Sequence, residues 1–567
     1  MDHQKPWLKF YPSEVPYAII WENKPLTRYF KETVEQFAER TAVSFFGKTL
    51  TFYELYEQML KLANYLEQIG LKKGSRVGLM LPNSPQAVIS YYAVLEAGGI
   101  VVQMNPLYTE KELEHQLKDC EATYLITLDV FYPKARKIKA LTKLKHIIIT
   151  KIQEYLPFPK NLLYPLVNKK QQNVAVSINP SPETHLWKDI LKTSPAAELN
   201  INIDPKEDVA LLQYTGGTTG FPKGVQLTHE NLISNAKMCS AWTYPCRRGE
   251  ESILGVLPFF HVYGMTAVMN LSILEGYKMI LLPKFEAEEI LKTIQKEKPT
   301  LFPGVPTIYI SLLNHKDLKK YDLTSIKYCI SGSAPLPVEV QERFEKETGG
   351  KLVEGYGLSE ASPVTHANVI DSKIQKKGSI GIPWPNTDAA IYSAEKQGIA
   401  DVYEYGELIV KGPQVMKGYW NNKEETDAVL KDGWLFTGDI GYMDEDGFFY
   451  IIDRKKDMII AGGFNIYPRE IEEVLYGHEK IKEVVVAGIP DPYRGETVKA
   501  YVVPKEGVQL TEKELDQFAR QHLAAYKVPK QYEFRQELPK TPVGKILRRR
   551  LIEEEKNKME NNDEGKI

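Results

Sequence analysis

The segment from Thr51 to Met104, TFYELYEQMLKLANYLEQIGLKKGSRVGLMLPNSPQAVISYYAVLEAGGIVVQM, decides the fold. Its first part places apolar side chains at helical spacing and ends in Gly70, and the run RVGLML that follows is typical of a buried strand. A second helix, SPQAVISYYAVLEAGG, and a second strand, IVVQM, come next in the same order. Strands that alternate with helices predict a parallel sheet with helices on both of its faces.

The alternation continues beyond this segment. TEKELEHQLKDC and TYLITL predict a third helix and a third strand, and the pattern resumes in MILLP, AEEILKTIQKEKP, TLFPGVP, SIKYCISGSAPLP and VEVQERFEKETG. We therefore expect an α/β protein whose large N-terminal domain contains parallel or mixed sheets flanked by helices.

The C-terminal part of the sequence has a different character. Short segments punctuated by Gly or Asp, as in DGWLFTGDIGYMDEDGFFYIIDRKKD, predict hairpins and a β-rich subdomain. REIEEVLYG, IKEVVVAGIP, KAYVVP and EKELDQFARQHL then predict a small α+β unit. The charged run DRKKD suits an exposed linker, so we expect a large domain at 1–453 and a small C-terminal domain at 454–567. The charged tail after Leu551 is expected to fray.

The composition excludes several classes of protein. With 72 Lys and Arg against 74 Asp and Glu, the chain has no basic excess that would indicate a nucleic-acid partner. Its four cysteines form no C-x-x-C pair, which argues against a disulfide framework or a zinc site and suits a reducing cytosol. The N-terminal residues carry charges and prolines in place of the apolar core of a secretion signal, so we expect a cytoplasmic protein.

One run, from Ser252 to Leu274, contains no Asp, Glu, Lys or Arg and is long enough to span a membrane. Pro258, His261, Gly264 and Asn270 interrupt it, and a buried strand, a loop and a helix explain it as well. We favour the buried interpretation over the membrane span.

Between Phe131 and Lys170 the alternation breaks, and ten Lys or Arg stand against one acid, Glu154. Aromatic residues and leucines are interleaved with these charges in EYLPFPKNLLYPLVNKK, which suits peripheral contact with an anionic membrane, on the inner face of a cell. The alternative is a solvated insertion, which is the more common meaning of a charge run. We favour the solvated insertion and keep the membrane contact as a hypothesis.

A glycine-rich stretch, YTGGTTGFPKGV at 214–225, follows the predicted strand DVALLQYT. Glycines let successive backbone N–H groups converge on a phosphate, and the Thr hydroxyls and Lys223 add donors. The nucleoside-triphosphatase loop G-x-x-x-x-G-K-[ST] is excluded because Lys223 is followed by Gly224, and the stretch contains no Rossmann G-x-G-x-x-G. A flexible surface turn is the alternative to an anion site.

TGGTTGFPKG resembles the phosphate-binding signature of the adenylate-forming superfamily, which includes acyl-CoA synthetases, aryl-CoA ligases, luciferases and peptide-synthetase adenylation domains. Further signatures of that family follow in its order: FFHVYG at 259–264, GSAPLP at 332–337, EGYGLSE at 354–360, TGD at 437–439, DRKKDMIIAGGFNIYPREIE at 453–472 and PKTPVGKILRR at 539–549. Seven signatures that follow the family's order across about 340 residues are not explained by chance. The resemblance implies that ATP activates a carboxylic acid as an acyl adenylate, and that coenzyme A then accepts the acyl group.

The resemblance also implies which residues hold the phosphates. It assigns the β- and γ-phosphates of ATP to Thr215, Gly216, Gly217, Thr218, Thr219, Gly220 and Lys223, with Thr218 as a candidate catalytic residue. Glu360 is expected to act in catalysis by binding Mg²⁺, with Ser359 beside the phosphates. Phosphoryl chemistry depends on such positioning and on charge compensation by Mg²⁺.

Adenosine is implied to lie against small residues and one aromatic face, contributed by Gly332, Ser333, Ala334, Gly355, Tyr356 and Gly357. The ribose hydroxyls are expected to donate hydrogen bonds to Asp439, which is helped by Arg454. A plain turn residue is the alternative role for Asp439.

The resemblance implies that the small domain takes part in both half-reactions. Lys545 matches the family lysine that reaches the substrate carboxylate and the α-phosphate, where its charge stabilises the transition state. For the second half-reaction the mobile small domain is expected to turn about a hinge at Lys456, so that Gly463 lines the pantetheine channel. The thiol of coenzyme A then attacks the activated acyl group directly.

The nature of the acid is less strongly indicated. FNIYP, within the segment 432–475, resembles fatty acyl-CoA synthetases, and we expect a long-chain fatty acid. LPFFHVYGM also resembles the aryl-CoA ligases, so medium-chain and aryl acids stay open. The acyl pocket is assigned to His261, Val262, Gly264 and Met265.

Two other functional classes are disfavoured, namely a peptide-synthetase adenylation domain and a binding protein without activity. The first should have an Asp near Phe260 and a downstream carrier domain, and the second should have lost Lys545, Glu360 or Asp439. The expected partners are therefore a fatty acid and coenzyme A together with ATP and Mg²⁺. A homodimer is among the oligomeric states left open.

Overall fold

The computed structural model describes residues 5–164, 178, 180–215, 222–370, 374–455, 457–461, 464–491, 495–540 and 546–564. The strands of the first two thirds of the chain are β1 Thr41–Phe45, β2 Lys48–Thr51, β3 Arg76–Met80, β4 Ile100–Gln103, β5 Tyr124–Leu128, β6 His146–Thr150, β7 Thr184–Leu186, β8 Val209–Thr215, β9 Lys223–Thr228, β10 Ser252–Gly255, β11 Lys278–Leu281, β12 Tyr328–Ser331, β13 Lys351–Gly357, β14 Val364–Ala367 and β15 Ile382–Pro383. The strands that follow are β16 Asp388–Ser393, β17 Gly398–Ile399, β18 Gly406–Lys411, β19 Gly418–Tyr419, β20 Leu430–Lys431, β21 Trp434–Met443, β22 Phe449–Arg454, β23 Ile459–Ala461, β24 Phe464–Ile466, β25 Ile481–Asp491, β26 Gly495–Pro504 and β27 Gln531–Phe534.

Helices connect most of these strands. They are α1 Leu26–Phe37, α2 Phe52–Gln68, α3 Pro85–Glu96, α4 Glu110–Asp119, α5 Tyr132–Lys139, α6 Trp187–Thr193, α7 His229–Trp242, α8 Val262–Gly264, α9 Leu271–Glu275, α10 Ala287–Glu297, α11 Pro306–Leu313, α12 Val338–Thr348, α13 Lys423–Val429, α14 Pro468–Tyr476, α15 Glu512–His522 and α16 Arg548–Glu564. A π-helix, Met265–Asn270, joins α8 to α9, and short 3₁₀ turns lie at Pro6–Phe10, Asp129–Phe131, Ile152–Tyr155, Leu318–Lys320 and Ser359–Ala361.

The segment that opens the sequence analysis forms the expected elements. Thr51 caps α2 by accepting a hydrogen bond from the backbone N–H of Glu54, whose side chain accepts one from Thr51 in return. The helix ends at Gln68, and the chain turns at Gly70 with φ +91°, a conformation that glycine adopts readily. β3 and β4 then pair in parallel, which confirms the helix–strand alternation.

The largest sheet has the order β19-β9-β8-β4-β3-β5-β6-β7, and β3 to β8 all run parallel. Val101 on β4 belongs to one apolar core, whereas its neighbours Ile100 and Val102 belong to another. Both faces of the sheet are therefore buried, as the near-continuous apolar runs in its strands predict.

The prediction that the alternation breaks at Phe131 is wrong for part of that region. α5 and β6 lie inside it, and β6 continues the parallel sheet next to β5. The apolar run Ile147–Ile149 is buried on that strand, while the surrounding lysines obscure its periodicity in the sequence.

The run from Ser252 to Leu274 forms the buried strand β10, a loop and helical segments, as favoured above. Within the described residues, no helix is both long enough and apolar enough to cross a membrane.

Two further sheets follow. β12 and β13 pair in parallel and continue through the antiparallel strands β14 and β15. The β-rich subdomain is an antiparallel sheet in the order β17-β16-β18-β21-β20, with β22 paired to β21 as the predicted hairpin.

After residue 458 the chain forms a separate small sheet, β24-β23-β26-β25 with β27 beside β26. Its apolar cores contain only residues of this C-terminal region. Frayed ends were expected after Leu551, and that prediction is wrong up to Glu564. Near its middle α16 is held by ion pairs, in which Glu555 pairs with Lys499 at 3.0 Å and Glu554 pairs with Arg535 at 2.8 Å.

Candidate active site

The glycine-rich loop joins two antiparallel neighbours in the largest sheet. Thr215 at the end of β8 lies opposite Lys223 at the start of β9, so the ends of the loop meet. This strand–loop–strand arrangement differs from the strand–loop–helix of the nucleoside triphosphatases. The loop residues Gly216, Gly217, Thr218, Thr219 and Gly220 lie outside the described residues.

The glycine after Lys223 has a packing reason. A Cβ atom at Gly224 would lie 3.2 Å from Cζ of Tyr214 and 3.3 Å from Cβ of Trp420. These contacts are closer than ordinary van der Waals separation, so the Ser or Thr of the nucleoside-triphosphatase loop would press against the Tyr214 ring and the Cβ of Trp420.

Lys223 is held by the segment around β19. Its Nζ lies 2.6 Å from Oε2 of Glu425 on α13 and 5.3 Å from the centre of the Tyr419 ring. β19 brings these residues to Lys223 because it pairs antiparallel with β9. The side chain of Lys223 is only 15 % exposed, so this ion pair is partly shielded from water.

Glu360 lies beside the same segment. The hydroxyl of Tyr419 donates a hydrogen bond of 2.8 Å to Oε1 of Glu360. The backbone N–H of Met416 donates one of 2.8 Å to the backbone carbonyl oxygen of Glu360. Burial, followed by the nearby carboxylate of Glu360, raises the pKa of Tyr419, so this hydroxyl keeps its proton and stays a donor. Ser359 precedes Glu360 in a 3₁₀ turn and is half-buried.

A cleft of about 230 Å³, which we call the Glu360 cleft, opens beside these groups. Its lining includes Glu360, Glu407, Tyr419, Lys431, Thr437 and Lys455. Carboxylates, ammonium groups and hydroxyls thus face one space, which the apolar side chains of Leu358, Ala428, Val429, Leu435 and Phe436 also line.

The small residues assigned to adenosine lie at the ends of two neighbouring strands. Ser331 on β12 is opposite Glu354 on the parallel strand β13; residues 332–334 follow the end of β12, whereas residues 355–357 continue β13 and pair with β14. Ligands of open α/β sheets bind at such carboxyl edges. The two segments contain Gly332, Ser333, Ala334, Gly355, Tyr356 and Gly357.

Close backbone packing explains two of these glycines. A Cβ atom at Gly357 would lie 2.2 Å from the carbonyl oxygen of Pro363, and one at Gly332 would lie 3.1 Å from the ring of Tyr263. Ser333 has φ +68°, an uncommon backbone conformation for a residue with a side chain. Such strain is frequent at binding sites, since the surrounding structure must hold it.

Asp439 lies at the centre of a polar triad. Its carboxylate accepts a hydrogen bond of 2.5 Å from the Tyr356 hydroxyl and lies 3.1 Å from Nε of Arg454. Asp439 and Arg454 are directly opposite on β21 and β22. The side chain of Asp439 is 5 % exposed, and its carboxylate raises the pKa of Arg454, which keeps the guanidinium charged.

Lys456, Gly463 and Lys545, the residues assigned to the two half-reactions, lie outside the described residues. Their surroundings are partly described. Arg548 on α16 contacts Asp453, Asp457 and Glu472, at 3.4, 3.0 and 2.8 Å. These ion pairs join α16 to β22, to Asp457 and to α14.

The residues assigned to the acyl pocket are buried or half-buried. His261 caps the following helix, since its Nδ1 accepts a hydrogen bond of 3.3 Å from the backbone N–H of Tyr263. Val262 and Met265 are fully buried in the core, and a Cβ atom at Gly264 would lie 2.5 Å from the carbonyl oxygen of Pro258. No side chain can therefore be added at Gly264 without a shift of the backbone.

An apolar space lies next to this segment, which we call the apolar cavity. It has a volume of about 30 Å³, and its lining includes Cys239, Tyr263, Ala267, Ile330, Val364 and Trp384. Ala267 lies in the π-helix, a conformation that is frequent at functional sites.

Sequence reasoning did not identify several residues of this region. Tyr419 and Glu425 lie about 200 residues after Lys223 in the chain, and only the pairing of β19 with β9 reveals their proximity. Tyr263 and Trp384 line the apolar cavity from distant segments as well. The stretch KGYWNN, with its two aromatics after a glycine, was the one available signal for Tyr419.

Within the described residues, no group of three or more His, Cys, Asp or Glu side chains could hold a metal ion on its own. A magnesium ion is usually bound by one or two carboxylates together with phosphate oxygens of the substrate. The carboxylate of Glu360, which lines the Glu360 cleft together with Glu407, fits this second kind of site.

Comparisons with known proteins identify the family of this chain. A family model described as AMP-binding enzyme matches residues 30–420, and one described as AMP-binding enzyme C-terminal domain matches residues 470–545. The chain is 62 % identical to a long-chain-fatty-acid–CoA ligase of Bacillus subtilis over 98 % of its own length and 99 % of the relative, and 40 % identical to one of Salmonella typhimurium over 98 % and 100 %. Among solved structures, an anthranilate CoA ligase in complex with anthranoyl-AMP is 26 % identical, with a TM-score of 0.83 over 94 % of this chain and 98 % of that one.

Proposed function

This chain belongs to the AMP-binding enzyme family, and we infer from that membership that it is a ligase that joins a long-chain fatty acid to coenzyme A at the expense of ATP. We infer the long-chain substrate from the 62 % identity, over nearly the whole of both chains, with a long-chain-fatty-acid–CoA ligase. ATP is cleaved to AMP and pyrophosphate in this reaction.

In the first half-reaction a carboxylate oxygen of the fatty acid attacks the α-phosphorus of ATP. A bond forms between that oxygen and phosphorus, the bond to the β-phosphate oxygen breaks, and pyrophosphate leaves. The glycine-rich loop and Lys223 hold the β- and γ-phosphates, while Asp439 accepts hydrogen bonds from the ribose. Lys545 stabilises the negative charge that develops at the α-phosphate.

In the second half-reaction the thiol of coenzyme A attacks the acyl carbonyl carbon. A thioester bond forms, the bond from the carbonyl carbon to the phosphate oxygen breaks, and AMP leaves. The acyl adenylate is already activated, so no nucleophile of the protein is required. The solved relative with anthranoyl-AMP shows an adenylate of this kind in another CoA ligase.

Two domains with different tasks support this sequence of steps. We place the boundary between residues 453 and 454 and the hinge at Lys456, so that Lys545 acts first and Gly463 lines the pantetheine channel later. The separate apolar cores after residue 458 support a unit that can move as one body.

Magnesium is part of the proposal. Glu360 would hold the ion together with the phosphates, and the bound ion would offset the charge of the leaving pyrophosphate. The hydrogen bond from Tyr419 fixes the orientation of the Glu360 carboxylate.

The apolar cavity supports an apolar acyl group. Tyr263 lines this cavity and its ring also packs against Gly332, so an acyl chain in the cavity would lie next to the segment proposed to bind adenosine. Medium-chain and aryl acids are the alternatives that the sequence leaves open.

Pyrophosphate release with a panel of acids, from acetate to oleate with coumarate included, tests the proposed substrate. We expect the highest kcat/KM with acids of about 16 to 18 carbons, because each buried methylene adds about 0.8 kcal/mol until the pocket is filled. A maximum with coumarate or with an eight-carbon acid would overturn the long-chain assignment and leave the ligase chemistry in place.

We also propose peripheral contact with a membrane, through an exposed apolar patch rather than through the basic residues. Phe158, Leu162 and Leu163 are 79 %, 64 % and 53 % exposed, whereas Lys137 pairs with Glu110 at 2.8 Å and part of the basic charge is thereby offset. Co-sedimentation with anionic vesicles tests this, and we expect Leu162→Asp to reduce binding more than added salt does. Equal binding of this variant would contradict the proposal.

The location and assembly of the protein stay proposals as well. Its four cysteines are unpaired and three of them are buried, which suits the reducing cytoplasm. A homodimer is an open alternative to a monomer, and light scattering of the purified protein separates the two.

A further inference from the structure

Lys223 faces an acid of its own chain at the place where phosphates are proposed to bind. Its Nζ lies 2.6 Å from Oε2 of Glu425, within the range of a charge-assisted hydrogen bond. Neither the sequence motifs nor the family signatures quoted above include Glu425. The following argument rests on the proposed role of Lys223 as a phosphate ligand.

The position of Glu425 is fixed by its own segment. Asn422 caps α13 by accepting a hydrogen bond of 3.1 Å from the backbone N–H of Glu425. The hydroxyl of Thr426 accepts one of 2.9 Å from the backbone N–H of Tyr419, which ties the helix to β19. A Cβ atom at Gly418 would lie 2.8 Å from Thr426, so this corner is closely packed.

The position of Lys223 is fixed as well. Its backbone begins β9, and its ammonium group lies near the Tyr419 ring, whose hydroxyl is engaged by Glu360. Lys223 is thus held next to Glu425, and the Tyr419 ring that it contacts also lines the Glu360 cleft. An ammonium group that contacts a phosphate from this position keeps the carboxylate within a few ångströms of the same phosphate.

Two anions beside one cation repel each other. The polyphosphate of ATP carries several negative charges, and Glu425 adds another in a setting that water screens only in part, because the side chains of Lys223 and Glu425 are 15 % and 32 % exposed. Either Glu425 stays and repels the phosphates, or it withdraws and the ion pair with Lys223 is lost. Both courses weaken the binding of the polyphosphate.

We propose that Glu425 is a positioning residue that holds Lys223 and limits the affinity of the site for polyphosphate, and so promotes the release of pyrophosphate. Formation of an acyl adenylate is reversible as long as pyrophosphate stays bound. A carboxylate that competes for Lys223 favours the departure of this product without any contact with the reacting carboxyl group. A purely structural ion pair between α13 and β9 is the alternative role.

Binding of ATP and of inorganic pyrophosphate to the full-length protein, measured by calorimetry, tests this inference. We expect Glu425→Gln to bind both ligands about threefold to fivefold more tightly, the upper part of the range for a partly exposed ion pair. Glu424→Gln is the matched control, since Glu424 is the neighbouring acid on α13 and is exposed. It should bind both ligands as the wild-type protein does.

Two further variants separate this inference from the proposed function. Lys223→Ala should weaken the binding of both ligands, and Glu425→Gln should give no gain in the Lys223→Ala background, because the two side chains act on each other. If Lys223→Ala weakens binding but Glu425→Gln binds like the control or more weakly, the role of Glu425 is wrong and the phosphate role of Lys223 stands. If Lys223→Ala leaves binding unchanged, the phosphate role of Lys223 is wrong and the role of Glu425 falls with it.

Discussion

On the side proposed to bind the nucleotide, Asp439, Tyr356 and Arg454 are joined by short polar contacts, and Lys223 and Glu425 form an ion pair next to Tyr419, which lines the cleft of about 230 Å³. On the side proposed to bind the acyl group, the apolar cavity measures only about 30 Å³. The polar side is thus arranged in advance, whereas the apolar side must expand to hold a long chain. Fixed dipoles are effective only when they are already in place, but an apolar lining can repack around a ligand at a modest cost.

The largest expected effect concerns the nucleotide side alone. Lys545→Ala should lower the rate of adenylate formation about 10² to 10³-fold, because a charge aimed at the developing phosphate charge is lost. Thioester formation from supplied acyl-AMP should stay close to the wild-type rate. Separate assays of the two half-reactions check this, with Lys540→Ala as the control lysine, whose partner is Glu483. Equal losses in both assays would remove Lys545 from its assigned role.

The second effect tests the polar triad. Asp439→Asn should lower kcat/KM for ATP about 100-fold, since Arg454 and the ribose hydroxyls both lose a charged partner. Tyr356→Phe should cost only about fivefold, because it removes a single hydrogen bond. The preference among fatty acids should stay unchanged in both variants.

Steady-state kinetics with varied ATP measure these effects. Asp446→Asn is the matched control, an acid that pairs with Lys376 at 2.8 Å away from the site. A change in acyl-chain preference without a change in kcat/KM for ATP would contradict the assignment of Asp439 to the nucleotide.

The third effect belongs to the acyl side. Trp384→Phe shortens one wall of the apolar cavity and should favour acids longer by about one or two methylenes, with about a fourfold change in relative kcat/KM for each methylene. The KM for ATP should not change. The profile of rate against carbon number measures this, and Trp187→Phe is the control, a buried tryptophan of α6 that is not part of the cavity lining. An unchanged profile would mean that acyl chains do not reach this cavity.

The smallest expected effect concerns the titration of a buried acid, Glu354. Glu354 on β13 is buried, and this burial raises its pKa to about 7, while its carboxylate accepts a hydrogen bond of 3.2 Å from the backbone N–H of Leu336. The folded protein therefore binds more protons than the unfolded chain between pH 4.5 and pH 7. Stability should fall as the pH rises through this window, and the loss is complete above pH 7.

Glu354→Gln removes this titration. Between pH 5 and pH 8 the Tm of this variant should fall less than the Tm of the wild-type protein, and the two falls should differ by roughly 3 °C. Thermal denaturation at several pH values measures this. The surface variant Glu342→Gln is the control, since that acid pairs with the exposed Lys377. Parallel pH profiles of Glu354→Gln and wild type would contradict the role of Glu354 as a buried acid.

Much of the fold follows from local patterns in the sequence. The helices α2 and α3 and the strands β3 and β4 are each indicated by their own residues, because a buried strand needs a continuous apolar run and a helix needs apolar side chains at its own spacing. β6 was missed because lysines surround its short apolar run. Ion pairs with distant residues hold α16 in place, and local composition does not reveal such partners.

The site, too, has a part that the sequence predicts and a part that it does not. The residues proposed to contact the nucleotide stand in recognisable motifs, since close packing limits the side chains that fit there, against side chains at Gly224 and against the backbone at Gly357. The residues that line the apolar cavity do not stand in such motifs, because many apolar residues can fill such a space. Glu425 is found only through the pairing of β19 with β9, which depends on the whole fold.

The account depends most on the formation of an acyl adenylate from a long-chain fatty acid. A single-turnover reaction of the full-length protein with radiolabelled oleate and MgATP, in the absence of coenzyme A, tests this directly. We predict that oleoyl-AMP accumulates on the protein to about one equivalent and converts to oleoyl-CoA and AMP when coenzyme A is added. The formation of ADP and phosphate, or the absence of oleoyl-AMP while coumarate gives its adenylate, would contradict the account.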